Sequence, residues 1–201
     1  MGFNYQMKTK KGYDFFEVAS TLQKSIRRGD ENTALYFTVE MCNSSYEEYV
    51  WKRLKVICSE DVGLADPHMP ATIMALYQMH QEDKKNKGKD REPEWLFITH
   101  AVLLLCRAPK SRLTDWAAIH YWESHGRTEM AIPDYAFDRH TQKGKSMGRG
   151  IDHFYNEGTL LANHVEQPRE AELKAMAMDD ELLRKRNDKG GSGLPGMWEK
   201  P

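Results

Sequence analysis

The run Trp95 to Arg107 reads WLFITHAVLLLCR and sets the first constraint on the fold. Placed on a helix, it is apolar on nearly every side through Trp95, Leu96, Phe97, Ile98, Ala101, Val102, Leu103, Leu104, Leu105 and Cys106. Such a helix is stable only where other elements cover it, so it belongs at the centre of a bundle or at an oligomer interface. It is not a membrane span. Its longest unbroken apolar run, Ala101 to Cys106, falls far below the roughly 20 residues that a bilayer requires. Ala108-Pro109 ends it, because the residue before a proline is pushed out of helical geometry.

The chain before this run supplies helices to surround it. Asp14 with Glu17 resembles a capping box, and Phe15, Val18, Ala19, Leu22 and Ile26 follow at helical spacing until Gly29, which predicts a helix over Asp14 to Arg28. Asp30 caps a second helix with Leu35, Val39 and Cys42 on its apolar stripe and Tyr36 beside it. Ser45 with Glu48 reads as another capping box, followed by Tyr46, Val50, Leu54 and Ile57 on one face. Three short helices with tight polar turns pack as antiparallel neighbours.

Between the third and fourth helices lies the polar hinge Cys58 to Pro67, CSEDVGLADP. Gly63 marks a helix stop, while Asp66-Pro67 opens the next helix, since Asp caps a first turn and Pro at the following position loses no helical hydrogen bond. Pro70 is still tolerated in that first turn, and Ile73, Met74, Tyr77 and His80 continue the pattern, with His80 read as a helix-end residue. Glu60, Asp61 and Asp66 crowd this hinge. Two readings follow: a metal or catalytic site, or a capped, solvated corner where acids meet helix dipoles.

Composition narrows the function classes. The 201 residues carry 29 Lys+Arg against 30 Asp+Glu, a formal net charge of -1, so binding to nucleic acid or an anionic membrane requires a local patch. In the run Glu82 to Glu94 the charges cancel, which predicts a solvated loop. Cys42, Cys58 and Cys106 form no CxxC and lie in apolar helical surroundings, as expected of reduced core residues in a cytoplasmic protein. Met1 to Lys11 has lysines with no apolar run behind them, unlike a signal peptide.

Beyond the apolar run, Lys110-Ser111 reads as a turn with Ser111 as cap. A sixth helix is expected through Leu113, Trp116, Ala117, Ile119, His120 and Tyr121 to Gly126, with His120 and His125 near its C-terminal end. From Ile132-Pro133 the chain becomes basic and glycine-rich. Gly144, Gly148 and Gly150 with Lys143, Lys145 and Arg149 suit either a backbone that approaches a phosphate or a short helix ending in a glycine turn. No GxxxxGK[ST] motif occurs in the sequence. Asp138, His140, Asp152 and His153 are close in sequence and of metal-ligating type, without a recognised spacing. Glu170 to Arg186 reads as a polar helix, and Asp188 to Pro201 as a disordered tail unless Trp198 docks.

Three ordered motifs now carry a resemblance. LQKSIRRGDENTALYF at Leu22 to Phe37, CSEDVGLADP at Cys58 to Pro67 and APKS at Ala108 to Ser111 resemble the C-terminal region of the RarA/MgsA family of replication-associated AAA+ ATPases, with its HKSxRxxDxxAALY, SEDxGxADP and APKSN patterns. The likeness spans Tyr13 to His125, and Lys145-Ser146-Met147-Gly148-Arg149-Gly150 loosely matches a KEMGYG-like turn. Arg112 stands where the family usually has Asn. The resemblance implies an all-α helical bundle, similar to the clamp-loader C-terminal oligomerisation domain, with an irregular glycine-rich basic extension. It also implies that Ser59, Glu60, Asp61, Gly63, Asp66, Pro67, Pro109, Lys110 and Ser111 are structural. No ATPase segment is matched, so no enzymatic activity and no cofactor is carried over.

The organisation expected is an N-terminal lead over 1–12 and a helical domain over 13–165, with its core at 13–126 and its basic extension at 132–158. A polar helix and tail occupy 166–201. The leading function is a non-catalytic oligomerisation and interaction module of DNA replication, recombination or repair. Its partners would be copies of itself, as a tetramer, or a separate AAA+ ATPase, with no membrane. One alternative is a DNA-binding accessory in which Lys110, Arg112, Arg139, Lys143, Lys145 and Arg149 follow phosphates. The other is a metal-dependent enzyme built on Glu60, Asp61 and Asp66 or on the Asp138/His140 group.

Overall fold

The computed structural model describes residues 7–85 and 95–189, and side chains up to Asn187. Among the described residues every regular element is helical: α1 (Phe15–Arg28), α2 (Glu31–Asn43), α3 (Glu47–Ile57), α4 (Met69–Lys85), α5 (Trp95–Arg107), α6 (Leu113–Ser124), α7 (Gln142–Ser146), α8 (Ile151–His153) and α9 (Glu170–Lys189). No described helix is long and apolar enough to cross a membrane. The greater part of the charged run, residues 86–94, and the segment around Trp198 lie outside the described residues. Two units divide the chain, residues 1–128 and 129–201. The basic glycine-rich segment therefore groups with the polar helix α9 and not with the bundle.

In the first unit α5 packs against α1, α2, α3 and α4, the central position that its apolar sequence demands. Its Ile98, Ala101, Val102, Leu105 and Cys106 are buried with Leu22 and Ile26 of α1, Met41 of α2 and Trp51 and Leu54 of α3. Trp95 and Leu96 at its start stay exposed, so the coverage is incomplete at that end. Helix α1 begins where expected: Asp14 Oδ1 accepts from the N–H groups of Phe16 and Glu17 at 2.9 and 3.0 Å. It ends on Gly29 at φ 73°, with Gly29 N–H donating to Ile26 and Asp30 N–H to Ser25, a Schellman closure. The lead is not loose from Met7 onward. Lys11 N–H donates to Glu40 Oε1 at 3.0 Å and Lys10 N–H to Ser44 Oγ at 2.9 Å, tying it to α2.

Two local expectations are corrected. Ser45 does not cap α3; it adopts φ 67° as the left-handed residue that closes α2, with Ser45 N–H donating to Cys42 and Tyr46 N–H to Met41. The helix stop outcompetes the helix start. His80 is not at a helix end, because α4 continues to Lys85 and turns His80 fully into the core. Its ring lies against Trp51 with centroids 5.3 Å apart, and its Nε2 is 2.7 Å from Glu47 Oε1. Lys84 also reaches Glu47, at 2.9 Å, so α3 and α4 are clamped along one edge. Cys42, Cys58 and Cys106 are free, and burial raises their thiols to about 12, 11 and 11.

The second unit has its own ties. Arg139 forms a bidentate pair with Glu181 of α9, and its guanidinium sits 4.7 Å over the Phe154 ring. Arg149 donates to the carbonyls of Asp134 and Phe137, both at 2.8 Å, and to Asp134 Oδ2 at 2.6 Å. Gly144 is required for packing: a Cβ there would lie 1.9 Å from the Asp138 carbonyl oxygen.

Candidate functional site at the hinge

After α3 the chain widens into a π turn, Cys58–Val62, then a 3-10 turn, Gly63–Ala65, before α4. The wide turn swings Asp61 inward until its side chain is fully buried. A buried carboxylate needs partners, and two arginines from distant segments provide them. Arg27 of α1 donates through Nε to Asp61 Oδ1 at 2.6 Å and through Nη2 to Glu60 Oε1 at 2.9 Å. Arg112, just before α6, donates to Glu60 Oε1 at 3.2 Å and to Asp115, and its Nε lies 3.7 Å from Asp61. Gln23 adds a 2.8 Å bond to Glu60. Three motifs meet at this one point.

The backbone is joined there as well. Ser111 N–H donates to the Asp61 carbonyl at 2.9 Å. Gly63, at φ 52° and ψ -130°, lets that approach happen: a Cβ would come within 2.9 Å of Thr114 Oγ1 and 3.0 Å of the Ser111 carbonyl. Lys110 Nζ donates to the carbonyls of Cys106 at 2.8 Å and Ala108 at 3.0 Å, closing the end of α5 where carbonyls are left over. Asp66 Oδ1 accepts from His68 N–H at 3.0 Å, so it caps the turn before Met69 and Pro67 stays outside the helix. Ser59 is exposed.

The junction holds the start of α6, and α6 packs against the hinge turns. The rest of α6 is uncovered. None of its 12 residues is buried, although Trp116, Ile119 and Trp122 recur on one face at 57, 53 and 85 % exposure. The sequence carried that stripe, but reading α6 as one more bundle helix hid it. Arg27, Gln23 and Asp115 were likewise not singled out, because their partners lie far along the chain.

The cations proposed for phosphate are mostly engaged within the chain. Lys110 caps α5, Arg112 holds the hinge, Arg139 holds Glu181 and Arg149 holds the Asp134 turn. Lys143 Nζ lies 3.9 Å over the Phe137 ring, and Lys145 is exposed. The Asp/His group is used locally: Asp138 Oδ1 accepts from His140 N–H at 2.8 Å, and His140 meets Phe154 edge-on. Among the described residues no three His, Cys, Asp or Glu side chains are grouped to hold a metal ion.

Residues 28–173 match the family described as MgsA AAA+ ATPase C terminal. The chain is 29% identical over 164 residues to Replication-associated recombination protein A of Bacillus subtilis, covering 79% of this chain and 38% of that protein. It is 31% identical over 159 residues to ATPase WRNIP1 of Dictyostelium discoideum, covering 73% and 16%. Against Replication-associated recombination protein A of Escherichia coli K12 it is 28% identical over 147 residues, covering 72% and 32%. The chain thus spans well under half the length of these relatives. With the matched region running through both the hinge and the start of α9, the chain belongs to the MgsA AAA+ ATPase C-terminal family, a replication- and recombination-associated domain.

Proposed function

We propose that this chain is a non-catalytic oligomerisation module of DNA replication and recombination, and that a second copy of the chain covers α6. The observation that carries the reading is the exposed Trp116, Ile119 and Trp122 stripe on a helix whose base is fixed by the hinge. Tryptophan is the residue type most enriched at interface hot spots, and an aromatic helix face held by part-buried ion pairs is costly to leave in water. A homo-oligomer, as a tetramer, in the cytoplasm, is what the family likeness implies. A non-catalytic role is supported by Glu60 and Asp61 being committed to arginines, by Asp66 being used as a cap, and by thiols held protonated by burial. The ATPase activity in the relatives' names belongs to those proteins.

Size-exclusion chromatography with light scattering, at low and high salt, tests this. The wild-type chain is expected as a closed oligomer that persists in salt, and Trp116→Asp with Trp122→Asp as a folded monomer. A wild-type monomer at tens of micromolar would refute the self-association. If that monomer joined a separate AAA+ ATPase through the same stripe, the occupant of α6 would be that ATPase and not a second copy.

A further inference from the structure

One face of α1 and the facing side of α3 enclose a cavity of about 300 Å³. Phe16, Gln23 and Arg27 line it from α1, Tyr49 and Arg53 from α3, and Glu60 closes it at the hinge end. At 1.5 Å rise per residue, the α1 wall from Phe16 to Arg27 is about 16 Å long. Its two ends differ in chemistry. One presents the Phe16 ring, 65 % exposed and braced edge-on by Phe15 at 5.2 Å. The other presents guanidinium groups.

Those guanidiniums have donors to spare. Arg53 gives Nη2 to Gln23, yet its Nε is buried with no hydrogen-bond partner, a state that native proteins seldom leave unused. Arg27 commits Nε and Nη2 to the hinge acids, which leaves Nη1, and it lines the cavity. Lys24 adds a third cation to the lining, against one carboxylate, Glu60. Planar forks suit a tetrahedral oxyanion, and an exposed ring about three helical turns away along α1 suits an unpaired base.

We propose that this cavity is a single-stranded nucleic-acid subsite, with one phosphate held by Arg53 and Arg27 and one base stacked on Phe16. The proposal rests on the replication and recombination reading above and names a ligand site within it. Duplex is disfavoured because paired bases offer no free face to the ring. A run of carboxylates is disfavoured because it brings no base to stack on the Phe16 ring. The site differs from the basic segment at Arg139 to Arg149, two of whose cations are spent inside their own unit.

The test is fluorescence anisotropy of a labelled 15-nucleotide oligo(dT) with the full chain across a salt series. Wild type, Phe16→Ala and Arg53→Gln are compared, with oligomeric state read by light scattering on the same samples. Each substitution is expected to weaken binding roughly tenfold, within the range for loss of one stacked base or one phosphate contact. Arg53→Gln should also lower the slope of log K against log salt by about 0.7, whereas Phe16→Ala should leave the slope unchanged. Poly-glutamate should not displace the oligonucleotide. Both variants binding within twofold of wild type, or a wild type that ignores oligo(dT), would overturn the proposal. Displacement by poly-glutamate as effective as by unlabelled oligo(dT) would overturn it in favour of an acidic peptide. A monomeric wild type with Arg53-dependent binding would instead count against oligomerisation alone.

Discussion

Replacing Asp61 with Ala removes the only fully buried acid of the hinge and leaves Arg27 and Arg112 facing its former place. Breaking a buried pair by removing one partner costs about 3–5 kcal/mol, because the remaining charge stays desolvated. Here both arginine side chains keep 28 and 29 % exposure, and both retain Glu60, so the lower end of that range, about 3 kcal/mol, applies. Against a total stability of roughly 5–15 kcal/mol this is a large fraction. A unit of this size should lose on the order of 10 °C in Tm. Urea melts of wild type, Asp61→Ala, Arg27→Met and the double variant complete a cycle, and a coupling of about 1–3 kcal/mol between the two sites is expected. An Asp61→Ala variant within 0.5 kcal/mol of wild type would refute the idea that the hinge is held by this carboxylate. Because the same acid sets the start of α6, the variant should also shift the light-scattering mass toward monomer before it unfolds.

Gly63→Ala should destabilise by about 2–3 kcal/mol in the same melts, since the residue needs a positive φ and its new methyl would meet Thr114 and the Ser111 carbonyl; a change below 0.5 kcal/mol would mean that the turn relaxes freely. His80 supplies a pH dependence. Burial lowers its pKa, with Glu47 and Glu48 opposing and Lys84 adding to the effect. The unfolded chain therefore takes up the proton first, and the stability that neutral His80 contributes is present above the ordinary histidine pKa near 6.5 and declines as pH falls from there toward the folded value. His80→Gln should flatten this part of the stability profile between pH 7 and 5, and an unchanged slope in urea melts would exclude His80 as its source.

Much of the bundle could be read from spacing alone. Asp14 and Asp30 cap the helices they were expected to cap, because the competition at those positions is local and has one winner. At Ser45 it had two. A serine after one helix and before another can close the first or open the second, and the deciding bonds, to Met41 and Cys42, come from the helix behind it. His80 was misplaced for a related reason: the polar residues after it, Gln81 to Lys85, suggested an end, while Glu47 in α3 made it affordable to bury. The hinge acids were visible as a motif, but their meaning depends on Arg27 and Arg112, 34 and 51 positions from Asp61, and no local rule reaches that far.

The basic glycine-rich segment shows how the same composition serves opposite ends. Gly144 is there so that one backbone can touch another at Asp138, and Arg139 and Arg149 point into their own unit instead of outward. Charge density along the sequence was therefore a poor guide to where an anion would be met. What matters is whether a donor is left over once the fold has taken its share. By that measure Arg53, whose buried Nε has no hydrogen-bond partner, is a candidate that clustering along the sequence passed over, and Trp122 stands ahead of the apolar α5 as a contact surface. The fold spends α5 on its own core and uses the hinge to hold α6 out, which is why the helix with the weaker apolar pattern is the one left for a partner.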